Sequence, residues 1–172
     1  MREKRKRQNT KEFEYMNLYM KQRIFSWRDR FSIYDENGND RYYVEGELFS
    51  WGKKLHLYDM GGNELAYISQ KLFSFLPKYT VYRQGIEVCV VTKEFTFFKH
   101  EFSVDGLGWG VFGDFFDHEY EISNGSKVIA NVSKQWFTLG DSYRLCVTPD
   151  IDEITALCVV LAVDAAIEEQ SR

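Results

Sequence analysis

Proline is scarce in this chain: Pro77 and Pro149 are the only two in 172 residues. Cysteine is nearly as rare, with Cys89, Cys146 and Cys158 each inside an apolar run. An odd count in apolar surroundings argues against a disulfide framework and reads as small buried hydrophobes. A nucleophilic thiolate needs an accessible electropositive site, which none of these runs offers. Catalytic signatures are missing as well: no G-x-S-x-G, no H-E-x-x-H, no P-loop and no Rossmann fingerprint occurs. The expectation is a protein with no catalytic residues, no metal and no cofactor. The N-terminus has no apolar stretch, so no signal peptide is expected and the expected compartment is a reducing cytoplasm.

Positive charge is in short supply outside one segment. The chain holds 22 Lys and Arg against 26 Asp and Glu, a net charge of −4. Residues 1–15 contain Arg2, Lys4, Arg5, Lys6, Arg7 and Lys11 against Glu3, Glu12 and Glu14, so residues 16–172 carry a net charge of −7. An acidic body makes a poor nucleic-acid binder, because phosphate contacts dominate that affinity. The basic run can pair with anionic lipid, at about 1 kcal/mol per basic residue near a surface. As a solvated tail, or as the product of a start upstream of Met16, it needs no partner.

What the chain has in quantity is aromatic residues, 14 Phe, 11 Tyr and 4 Trp, set among glycine-centred turns. That pairing points to an all-β architecture. Residues 31–50 also recur as residues 55–74 without a gap. Identical positions are Tyr34/Tyr58, Asp35/Asp59, Gly38/Gly62, Asn39/Asn63, Tyr43/Tyr67, Leu48/Leu72, Phe49/Phe73 and Ser50/Ser74. A looser copy occupies 120–137. Each copy opens with period-2 alternation (Phe31 and Ile33, Leu55 and Leu57, Tyr120 and Ile122). A turn rich in Asp, Asn and Gly follows, and then a second strand over 41–48, 65–72 or 128–134. The unit is a β-hairpin. Further strands are expected over 15–22, 79–84, 86–92 and 143–148, with a slip of phase between Phe97 and Phe98 marking a bulge or bend. The glycine-rich stretch 106–113 suits a barrel corner. The total is about twelve strands.

From Asp150 onward the pattern changes. Asp150 and Glu153 have the spacing of a capping box, and nine of the ten residues from Ile154 to Val163 are apolar. A helix apolar on every face either spans a membrane or is buried all round. The stretch Ile151–Ile167 is roughly 25 Å long at 1.5 Å per residue and includes Asp152, Glu153 and Asp164. A span needs about 20 apolar residues free of charge, so the expectation is a buried helix. About twelve antiparallel strands closed into a barrel can enclose it.

An antiparallel barrel around a hydrophobic C-terminal helix resembles the tubby C-terminal-like fold, and within it the LURP-one-related family. The resemblance is carried by Tyr-Asp-Glu-x-Gly-Asn at 34–39, Glu-Gly-x-x-Phe-Ser at 45–50, the stretch from Val111 to Val147 and the terminal helix. It covers about Met16 to Ile167. The expected organisation is a basic tail over 1–15 and a barrel domain over 16–172. The wider superfamily includes phosphoinositide-binding tubby proteins and phospholipid scramblases. The resemblance therefore implies a non-enzymatic binding or scaffold domain, cytoplasmic or peripheral to a membrane. Its implied ligand is an anionic phospholipid or a protein partner.

Few residues stand out as sites. Lys53 and Lys54, beside Trp51, are the candidate ligands for an anionic group; a solvated loop needs the same residues. Arg28 and Arg30 beside Trp27 form a similar cluster, with Asp29 between them for local pairing. Asp114, Asp117, His118 and Glu119 are the polar groups an alternative would use, a hydrolytic or metal-dependent enzyme with its site at a barrel end. Adjacent strand residues face opposite sides, which works against their convergence. His56 and His100 read as packed or half-exposed strand residues.

Overall fold

In the computed structural model, the described residues are 15–21, 30–47, 49–95, 101–135 and 142–170. Trp27, Arg28, Asp29, Phe97, Phe98, His100 and residues 1–14 lie outside them.

Twelve strands are followed by one helix. In chain order they are β1 (Met16–Lys21), β2 (Phe31–Tyr34), β3 (Asp40–Gly46), β4 (Lys54–Asp59), β5 (Glu64–Gln70), β6 (Lys78–Arg83), β7 (Ile86–Lys93), β8 (Glu101–Asp105), β9 (Trp109–Asp114), β10 (Glu119–Asn124), β11 (Lys127–Gln135), β12 (Ser142–Val147) and α1 (Glu153–Gln170). Every strand pairs antiparallel with its sequence neighbours, and β1 pairs with β12 to close the barrel. Alternation along each strand sends one set of side chains inward, such as Leu55 and Leu57, Tyr79 and Val81, and Tyr143, Leu145 and Val147.

Helix α1 runs through the barrel. Every residue from Ala156 to Val163 is fully buried, in contact with one continuous core that all twelve strands share. Each enclosed Leu or Val contributes about 1.5–3 kcal/mol relative to exposure. Among the described residues, no helix is long and apolar enough to cross a membrane.

The helix begins two residues later than a capping box at Asp150 places it. Asp152 is the cap, its carboxylate accepting the Thr155 amide at 2.9 Å. Asp150 pairs instead with Lys127. Glu153 does not fold back onto the helix but reaches Arg41 at 3.0 Å and Tyr42. Arg83 pairs with Asp152. At the far end, Lys53 Nζ donates to the Ala165 carbonyl at 2.8 Å and meets Glu168 at 3.0 Å, while Gln70 donates to Glu169 at 2.8 Å. The helix is therefore tied to the strands at both ends.

The two ends of the barrel differ. The helix N-terminus lies at an end closed by short polar turns. Two of these are built alike by the repeat: Gly38 and Gly62 sit at φ +80° and +85°, and Asp35 and Asp59 accept the amides of Asn39 and Asn63. The other end carries the longer connections 47–53, 71–77 and 115–118 and the helix C-terminus.

Candidate docking surface at the aromatic end of the barrel

The second strand of each repeat stops at Gly46 and at Gln70, two residues before 48 and 72 where alternation places the ends. The repeated Phe-Ser pairs at 49–50 and 73–74 thus fall in loops. Phe49 is 98% exposed, Phe73 102%, Phe75 96% and Trp51 82%. Monomer surfaces hold scattered apolar residues, but four large rings on two neighbouring loops form a patch.

The two loops are held against each other. Lys53 N donates to Gln70 Oε1 and Gln70 N to the Lys53 carbonyl, both at 2.8 Å. Gly52 has φ +80°, and a Cβ there would lie 2.8 Å from Leu72 Cδ2. The base of the second loop is closed by Lys71 N donating to the Lys78 carbonyl at 2.8 Å. At the loop's apex Phe73 has φ +59°, a left-handed conformation that a bulky residue adopts at an energetic cost. Phe95 and Phe116, on two further connections at this end, are 68% and 56% exposed. Sequence reasoning passed over these rings because alternation treats a Phe as core. The available signal was the repeated Phe-Ser lying after the strand pattern had ended.

The structure gives Lys53 and Lys54 different surroundings. Lys53 is largely enclosed and spends its ammonium on the helix C-terminus, where a cation complements the backbone dipole. Lys54 lies on the outer wall and meets Glu47 at 3.1 Å, which raises its pKa. Glu47 also accepts from His56 at 3.0 Å, and hydrogen bonding to His56 is the main cause that holds its carboxyl below the usual range. His56, a half-exposed strand residue as expected, bonds Glu64 at 2.7 Å through its other nitrogen and lies tilted against Tyr67, with ring centroids 4.8 Å apart. Arg30 lies 3.5 Å from the centroid of the Tyr43 ring and 3.8 Å from Glu45.

The four polar residues of the enzyme alternative do not converge. Asp114 accepts the amides of Phe116 and Asp117 and so shapes its own turn. Glu119 accepts the Lys134 amide at 2.9 Å. His118 turns inward in a left-handed conformation, its ring centroid 4.3 Å from that of Tyr143 and its Nε2 4.0 Å from Asp164. Among the described residues, Asp164 is the one buried acidic residue, and burial pushes its carboxyl up, opposed first by His118. Among the described residues, no group of three or more His, Cys, Asp or Glu side chains is placed to hold a metal ion.

Comparison with known proteins agrees with this architecture. A solved structure of an Arabidopsis thaliana protein superposes with a TM-score of 0.65 over 92% of each chain, at 16% identity, a likeness of fold alone. The uncharacterized protein YxjI of Bacillus subtilis (strain 168) is 38% identical over 148 residues, covering 85% of this chain and 91% of that one. The sequence model of the LURP-one-related family matches residues 16–164. With the helix-filled twelve-stranded barrel on the same span, this chain belongs to the LURP-one-related family.

Proposed function

We propose that this barrel is a non-enzymatic docking module that seats its aromatic end on a phospholipid surface. The observation that carries the reading is the exposure of Phe49, Trp51, Phe73 and Phe75 on two loops pinned together at one end. Aromatic side chains favour the membrane interface, where the ring leaves water and polar neighbours stay wet. Half-burial of one ring, about 80 Å², contributes about 2 kcal/mol. Four rings on a braced platform enter together, with little conformational entropy to lose.

Charge plays a secondary part. The body is acidic, so a general attraction to anionic lipid is absent. Lys71 and Lys78 flank the rings. Lys54 can exchange its half-exposed Glu47 partner for a headgroup phosphate, since such surface pairs are weak. Lys53 is less suited to that exchange, because moving it uncaps the helix.

Vesicle flotation tests the reading. The full chain is expected to float with phosphatidylcholine vesicles containing anionic lipid, and the Trp51 emission to shift to the blue. Absence of binding to neutral and anionic vesicles alike, at low salt, would overturn it.

A further inference from the structure

The barrel closes at β1 and β2 over only two residue pairs, Tyr19 with Tyr34 and Met20 with Ile33. Below Tyr34 the chain turns away through Asp35, Glu36 and Asn37. Met16–Leu18 therefore pair with β12 on one side and, among the described residues, with no strand on the other. A gap of about 300 Å³ opens along this half-edge, with Arg41 and Glu153 among the residues that line it. It lies at the opposite end of the barrel from the aromatic loops.

We propose that this split seam binds a short extended peptide of a partner protein that carries Lys or Arg. Two properties of the gap select that ligand. An unpaired strand edge offers backbone donors and acceptors in the spacing that another extended chain matches, the chemistry of strand addition. The lining is acidic, three carboxylates to one guanidinium: Asp35 is held by the amides of its own turn and Glu153 by Arg41 and Tyr42, which leaves Glu36 for an incoming cation. Asn17 Oδ1, on the wall, is buried and has no hydrogen-bond partner. Such an atom costs free energy until a donor reaches it. The volume is at the small end for ligand sites and suits a few residues of backbone with one basic side chain. Glu36, exposed on the turn, is placed to meet that side chain at the entrance.

The test titrates the full chain with a labelled Thr-Lys-Val-Arg-Val-Thr peptide, read by fluorescence anisotropy and by amide hydrogen exchange. The expected result is saturable binding, with those amides of Met16–Leu18 that point away from β12 gaining protection. Methylating alternate peptide amides should abolish it, and Glu36→Lys, on an exposed turn, should weaken it about tenfold without changing the melting temperature. The proposal is overturned if a Glu-for-Lys/Arg peptide or the methylated peptide binds equally, or if protection appears elsewhere. It is also overturned if the peptide fails to bind because those amides are already protected in the chain alone, by its own residues or by a second copy.

Discussion

Phe49 and Phe73 occupy equivalent positions of the internal repeat and project from two adjacent loops with both rings fully in solvent. Duplication of a hairpin has thus placed the same apolar residue twice at one end of the barrel. Neither ring packs on the core, so removing either takes nothing from the folded state.

The double variant Phe49→Ala/Phe73→Ala is accordingly expected to keep its urea midpoint and lose vesicle binding. At about 2 kcal/mol per half-inserted ring, each substitution lowers the partition coefficient by roughly tenfold or more. Flotation and equilibrium unfolding on the same preparation separate the two effects. Unchanged flotation would remove the rings from the docking surface.

Lys53 and Lys54 are neighbours in sequence with opposite roles. Lys53→Ala removes the ammonium that the Ala165 carbonyl and Glu168 share, and is expected to cost about 1–2 kcal/mol in urea unfolding. Lys54→Ala removes an exchangeable surface pair, so unfolding stays unchanged while binding to anionic vesicles weakens. The reverse pattern would show that Lys53, not Lys54, meets the lipid.

Much of the architecture was legible because it rests on local periodicities. Alternation marked the strands, and the charge-poor run Ile154–Val163, interrupted by Thr155 alone, marked a helix needing enclosure. What escaped depends on partners distant in sequence. Asp150 and Asp152 are equally good caps by residue type. Arg83 and Lys127, on separate strands, sort them, one holding Asp152 at the helix and the other drawing Asp150 away. The exposed rings escaped for a different reason: a Phe three residues past a strand looks the same in sequence whether it packs or projects. The inward turn of His118 depends on a left-handed backbone that its residue type does not announce.

Cap assignment can be tested directly. Asp152→Ala removes the acceptor for the Thr155 amide and the partner of Arg83, and is expected to destabilise the fold by about 1–2 kcal/mol. Asp150→Ala is expected to leave the unfolding midpoint close to wild type, because its pair with Lys127 is exposed. Equal effects in thermal and urea unfolding would contradict a helix start at Glu153.

Asp164 gives the fold a pH dependence with a definite sign. It faces His118 from the β9–β10 connection, Tyr120 from β10 and Tyr143 from β12. Burial raises its pKa above that of the unfolded chain, so the folded state retains the proton longer. The stabilisation tied to that proton is complete below the unfolded carboxyl value, about 3.9, and is lost as pH rises through the higher folded value. Asp164→Asn keeps an acceptor for the Tyr143 hydroxyl and has no proton to lose. Unfolding free energies measured between pH 4 and pH 8 should therefore diverge, with the Asn variant gaining on wild type as pH increases. Exposed carboxylates such as Asp35 and Asp59, held below the usual range by turn hydrogen bonds, produce the opposite slope in both proteins and cancel in the difference. A difference that stays flat, or falls with pH, would mean that His118 holds Asp164 ionised strongly enough to outweigh its burial.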